Sequence, residues 1–500
     1  MTVLAGRKIP WNSLGAAIAV SALVVGLWET VVEPDLFSYL ALGRWIFHNE
    51  ALPHGNPFTY AATPRPWVNH TWPINLLAYL VHRSFGFGGL AVYRWALGLF
   101  TAAILYIAAR RRGASHLAAL SGLALSALFF APAFPLFLAR NFEYCFFAAN
   151  LLLLEETRTE RKRTALVLLP LLYLLWANCH MSVPAGFIVM GLYAACGLFS
   201  RPRPHGLLAA GALCFAATFV TPFGFKLWEN FFVSLFSNPQ DYGGEWLPIN
   251  RAIEIGFDTD YIYPFLALLP LAALLFIFYR RDITARAVLA VTAILAFSYA
   301  RQVLLFVFAF AVYAPKALDE FGAAFARRPA GRRGRLVRAA TTLALLLAAA
   351  VSGGELARKA ATLPEAGQPF AHIVPARPVP GSTCHMAYPI GAVSRMKALG
   401  ISGDVLTYSL WGGYVSWEMY PRVKSAVDGR IFEEETRDVF DDYVRFYYGL
   451  RGWRRFLERF PPDYILVHAG SLADLNVAGL RSWREIYRDE LSALYEKKNG

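Results

Sequence analysis

The chain has 500 residues, of which 56% are hydrophobic and only 17% charged, where a typical soluble domain carries roughly 25% charged residues. Its mean hydropathy is +0.39. The formal charge of +13 does not mark a nucleic-acid binder, because the basic residues sit in short clusters between apolar runs, where they set membrane orientation. Five cysteines (Cys145, Cys179, Cys196, Cys214 and Cys384) show no metal-ligand spacing and four lie in apolar segments, which argues against a zinc site or a disulfide framework.

A bilayer core of about 30 Å asks for roughly 20 apolar residues per helix. In chain order, candidate spans fall at 12–32, 86–109, 115–133, 137–154, 164–180, 183–200, 206–221, 262–279, 284–300, 302–316 and 339–352, or about eleven helices. The first reads as an uncleaved anchor, since Glu29 to Pro34 offers no small-residue cleavage site. With Arg7 and Lys8 on the cytoplasmic side, the inside loops hold 21 Lys and Arg and the opposite loops six. That asymmetry sets the orientation, and an odd number of spans then places the chain beyond residue 353 outside. The same parity puts loops 33–85 and 222–261, with the helix ends at His180 and Arg301, on the external face. Long loops gathered on one face point to function there.

The expected organisation is therefore a polytopic, mainly α transmembrane bundle over 1–352 and a small soluble α/β domain over 353–500. A basic cytoplasmic linker at 317–338 precedes the last span, and a Pro-rich, irregular stretch at 355–380 follows it. Strands are expected in DVLTYSL (404–410), YVSWEM (414–419), KSAVDGR (424–430) and YILVHAG (464–470), and helices over 433–449, 451–459 and 480–488. The glycine pair in WGGY is too short to cradle phosphate and marks a turn or close strand packing. Asp428 and Arg430 in VDGR read as a pair that fixes a turn.

In the first external loop, Glu33 and Asp35 flank Pro34 at the end of the first span. Leu36, Tyr39, Leu40, Leu42, Gly43 and Ile46 follow at helical spacing, consistent with an amphipathic helix on the membrane surface. A carboxylate there can accept a proton from an incoming hydroxyl, or simply N-cap the helix. PWVNHTWP adds Asn69 and His70, the latter more often a hydrogen-bonded structural residue than a ligand. Arg140 and Glu143 stand three apart on one helix, as an ion pair or as a substrate contact. Asn178 and His180 lie at another external helix end, and Lys226 and Glu245 follow in the next long loop. Arg301 closes the ninth span, where a cation can face a lipid phosphate. Each has a structural reading alone; together they form a polar ring at one depth on one side.

EPDLFSYLALGRWI, LPHGNPFTY, RPWVNHTW and FGFGGL, followed by WANCH, TPFGFKLW, GEWLP, ARQVLLFVF, WGGY and VDGR, resemble landmarks of a bacterial branch of GT-C glycosyltransferase-like proteins. The likeness spans nearly the whole chain. It implies a bacterial cytoplasmic-membrane enzyme with a cytoplasmic N-terminus and a periplasmic C-terminal domain. Such an enzyme moves a sugar from a polyprenyl-phosphate donor to a glycan, lipid or protein acceptor of the cell envelope. By this resemblance Asp35 would be the general base, with Glu33 its neighbouring candidate. Arg301, with Lys226 or Arg140, would hold the lipid phosphate, and His70, His180 and Glu245 would line the cavity; Asn69 and Asn178 are further binding candidates by position. The single Glu–Pro–Asp departs from a DxD pattern, so the motif demands no cofactor and leaves a divalent cation (Mg or Mn) open. Met181 stands after WANCH where a small residue is expected.

A second class of function is a non-catalytic GT-C-like scaffold whose external domain binds a glycan or a partner protein. It predicts that Asp35 is dispensable. A transporter is disfavoured, since the sequence shows no repeat symmetry and no helices broken at mid-depth in matching positions.

Overall fold

The computed structural model describes residues 3–4, 7–8, 11–27, 33–61, 67–127, 129–130, 134, 137–159, 161–199, 204–236, 244–256, 259–278, 282–326, 374, 387–429 and 437–498. The expected span at 339–352, the Pro-rich stretch through 373, most of the basic linker, Arg430 and Cys384 lie outside the described residues. By contacts the chain divides into two compact units. One comprises residues 1–29, 93–134 and 139–363; the other comprises 30–92, 135–138 and 364–500.

The first unit is helical. Trp11–Gly26, the latter part of Trp72–Arg111, His116–Ala127, Ala139–Glu156, Lys162–Cys179, Val183–Leu198, His205–Ala217, Thr259–Phe278, Ile283–Ser298 and Val303–Ala326 each overlap one expected span. Two helical segments, Trp72–Arg111 and Ala300–Phe321, are long and apolar enough to cross a membrane, and several shorter apolar helices accompany them. From Val303 to Ala314 every residue is buried. A helix apolar on all sides must be enclosed on all sides, and this one packs against Ile283–Ser298, Thr259–Phe278 and His116–Ala127. Elsewhere large apolar side chains face outward, with Val167 73% and Phe100 58% exposed.

Basic residues expected to serve orientation alone are also structural. Arg112 pairs with Glu155 and, at 2.7 Å, with Asp282, and its guanidinium lies 4.5 Å from the ring centre of Tyr313. Arg158 reaches Asp282 at 3.4 Å and the Thr284 hydroxyl at 2.6 Å. Burial of one charge is tolerable only because its partners are buried beside it.

The second unit holds a five-stranded sheet. After a short hairpin near the N-terminus, β1 (Val3–Leu4) and β2 (Arg7–Lys8), the sheet strands are β3 (Gly403–Thr407), β4 (Val423–Ser425), β5 (Tyr464–His468), β6 (Trp483–Arg488) and β7 (Ser492–Lys497). The order is β4–β3–β5–β7–β6, with β3 parallel to β4 and β5, and β7 antiparallel to both its neighbours. Segment 414–419, expected as a strand, is helical within Ser409–Met419: Trp411, Val415 and Met419 recur every fourth residue and are buried. Segment 480–488, expected as a helix, contains edge strand β6. An edge strand half open to solvent does not show the alternation of a covered one.

The loop following the first span belongs to this unit. Its helix Asp35–Asn49 packs on Ser409–Met419 rather than lying open, with Leu36, Phe37, Leu40, Ala41, Leu42 and Ile46 buried. Arg44 donates to the Trp417 carbonyl at 2.7 Å. Further on, Phe58 and Tyr60 exchange backbone hydrogen bonds with Ser425 of β4, both at 3.0 Å. A division at residue 352 follows the sequence, whereas the contacts group 30–92 with 364–500.

Candidate functional site

Helical geometry begins at Asp35, with Pro34 in the N-cap position. Proline has no side-chain acceptor and suits the fixed φ of a helix start, so Asp35 is a first-turn residue and not the cap. An anion in the first turn is favoured by the helix dipole. Glycines let backbone approach this turn closely. A Cβ on Gly413 would stand 2.5 Å from the Ser38 hydroxyl oxygen and 3.3 Å from the Pro34 carbonyl oxygen. One on Gly412 would stand 2.8 Å from Asp428 Cα, and one on Gly429 would stand 2.8 Å from Asp35 Oδ1. Gly413 of WGGY and Gly429 of VDGR, both more than 370 residues beyond Asp35 in sequence, thus form the wall against which its turn rests. Asp428 is 1% exposed. Glu33 precedes the helix, its carbonyl accepting from the Leu36 amide at 3.1 Å.

Asn69 and His70 are buried in the turn that opens Trp72–Arg111. The Asn69 side-chain oxygen accepts from the Thr71 hydroxyl and the Asn75 amide, both at 3.1 Å, and its backbone carbonyl accepts from the Trp72 amide at 3.2 Å. These bonds order the helix start, which is a structural role.

In the other unit, four of the expected residues converge. Glu245, in a single 3-10 turn (Gly244–Trp246), accepts from Arg301 at 2.8 Å and from Arg140 at 3.3 Å. Arg301 also approaches Glu143 at 3.8 Å and lies 4.9 Å from the ring centre of Trp246. His180 Nδ1 is 3.5 Å from Glu143 and 2.8 Å from the Ser182 hydroxyl. Burial alone would raise the Glu245 carboxyl, but the guanidinium groups of Arg301 and Arg140 outweigh it and hold it below its usual value. A guanidinium presents its N–H donors in a fixed planar fork, a geometry that also matches a phosphate. Ser182 and Trp246 were not candidates from sequence; Glu143 was weighed only through its spacing from Arg140.

Two expected residues stand apart from this group. The Asn178 amide donates to the Leu174 and Val220 carbonyls, both at 2.9 Å, tying a helix end to the turn after His205–Ala217. Lys226 opens helix Lys226–Phe236 and is exposed. Among the described residues no three His, Cys, Asp or Glu side chains gather with the geometry of a metal site.

No protein-family model and no curated protein matches the sequence. Solved structures do match in fold. The Archaeoglobus fulgidus oligosaccharyltransferase in its apo form is 12% identical, with a TM-score of 0.59 over 92% of this chain and 70% of that one. ArnT from Cupriavidus metallidurans bound to undecaprenyl phosphate is 13% identical, with a TM-score of 0.54 over 98% of each chain. The same protein in the apo state gives 0.57 at 13% identity over 97% of each. The chain therefore has a GT-C-like fold.

Proposed function

We propose that the protein is a membrane glycosyltransferase that moves a sugar from a polyprenyl-phosphate carrier to a cell-envelope acceptor on the external face. The observation that carries this reading is the placement of Asp35, held at a helix N-terminus by glycines of two distant motifs. In the proposed step Asp35 takes the proton of the acceptor hydroxyl as that oxygen attacks the anomeric carbon of the donor sugar. The carbon–oxygen bond to the carrier breaks, and polyprenyl phosphate leaves with the electron pair. In the other unit, Arg301 and Arg140, paired with Glu245, are the groups suited to bind the carrier's phosphate. Glu33 and His180 serve as neighbours of the base and of the phosphate group, respectively.

Membrane residence is supported by the long apolar helices and by the large apolar side chains they turn outward. The excess of Lys and Arg in alternate loops supports a cytoplasmic N-terminus in a bacterial cytoplasmic membrane. A lipid carrier is supported by the full-length likeness to ArnT, which was solved with undecaprenyl phosphate bound.

The test is release of polyprenyl phosphate from a panel of polyprenyl-phosphate sugars by purified protein, wild type beside Asp35→Asn. Turnover should fall by a factor of roughly a hundred or more in the variant, with an unchanged melting point. Equal turnover in both removes Asp35 from the chemistry. Absence of turnover with every donor favours the non-catalytic scaffold.

A further inference from the structure

The order β4–β3–β5 reverses at β3: the chain leaves β3 for β4 on one side and reaches β5 on the other. In open α/β sheets such a reversal opens a crevice beyond the carboxyl ends of the two central strands. Here those ends are aromatic. Tyr408 follows the last residue of β3 and His468 is the last of β5, with ring centres 4.9 Å apart. Tyr447 stacks on Tyr408 at 4.8 Å, and its hydroxyl hydrogen-bonds His468 Nδ1. Trp411 lies against the imidazole at 4.0 Å. Tyr408, Tyr447 and His468 are half-buried, and Tyr448 beside them is 57% exposed.

The chemistry of the crevice narrows what it can take. A phosphate needs open backbone amides at a glycine-rich turn. The turn Thr407-Tyr408-Ser409 has no glycine, and the Ser409 amide already donates to the Tyr443 hydroxyl at 2.7 Å. Burial pushes the His468 imidazole down to about 4, so at neutral pH that ring is uncharged. Apolar ring faces beside phenol and imidazole edges suit a ligand that is apolar on one face and hydroxylated at its rim.

We propose that this crevice binds an uncharged sugar ring of the acceptor glycan. The word acceptor rests on the transferase reading; the sugar does not. Helix Ser409–Met419 begins at the crevice, and about 6 Å along its axis presents Gly413 to the turn that carries Asp35. A ring held there lies a short helical segment from the proposed base.

The test uses the full chain in lipid nanodiscs without donor. Neutral oligosaccharides (maltoheptaose, chitotetraose and a mannotetraose) are titrated by calorimetry, with tryptophan fluorescence as a second readout. At least one should bind, and Tyr448→Ala and Tyr447→Phe should each weaken it about tenfold or more. Tyr448 is exposed, so its variant should keep the wild-type melting point. No binding by any of the three, or unchanged affinity in both variants, overturns the proposal. Tyrosine-dependent binding by a protein that turns over no donor keeps the sugar site and overturns only its role as an acceptor site.

Discussion

A glycine is informative where a side chain would strike something that matters, and Gly429 is such a place. The Cβ of an alanine there would meet Asp35 Oδ1 at 2.8 Å, so the carboxylate must turn away while the surrounding helix stays put. Gly429→Ala is therefore expected to lower kcat by roughly tenfold to a hundredfold, with donor KM and melting point close to wild type. Steady-state kinetics on the preferred donor checks this, and a variant that loses only KM speaks against a role in placing Asp35. His468 offers a separate readout. Burial lowers its pKa from 6.5 to about 4, so between those values the unfolded chain binds a proton that the folded one refuses. Stability then rises with pH across that window and levels off above it. The swing amounts to roughly 3 kcal/mol at most. Melting points measured between pH 4 and 7 should show a shallower slope in His468→Gln than in wild type, and parallel curves would reject the assignment.

At the scale of elements, the sequence was most legible where a pattern was long. Ten apolar runs reappear as helices because burying or lipid-facing an apolar stretch leaves the backbone no better way to satisfy its own hydrogen bonds. The short segments of the sheet domain were harder. YVSWEM looks alternating, yet Gly412 and Gly413 were the better guide, since bare helix positions can sit against Val427 and Asp428 and against the Asp35 turn. WREIYR looks helical because its charged residues are those of an edge strand. Helix Asp35–Asn49 carries a correct apolar stripe but the partner was misjudged: periodicity tells which face is covered and not what covers it. Among the site residues, Arg140, His180, Glu245 and Arg301 could be grouped by depth, and the structure does bring them together. Asn69 and Asn178, expected with them, are occupied in ordering turns and helix ends, which no sequence spacing could reveal.

At the scale of the molecule, the unit containing Asp35 is drawn from both ends of the described chain. Residues 30–92 supply the helix of the base and a segment paired to β4, while 364–500 supply the sheet. The C-terminal segment expressed alone would uncover Gly413 and the edge of β4. It is expected to show fewer slowly exchanging amides in β3 and β4 than the same segment within the full protein. Hydrogen exchange read by mass spectrometry decides this; equal protection would mean that the sheet is self-sufficient.

The discontinuity also orders events in the cell. When a ribosome has delivered the first hundred residues, Asp35 already exists as a residue but its wall does not, because Gly413 and Gly429 are still more than three hundred residues away in the message. On the transferase reading, a chain terminated before residue 413 would carry Asp35 without the glycine wall it rests on, and would be expected to be inactive. On that reading, activity would wait for synthesis of the segment that carries Gly413 and Gly429.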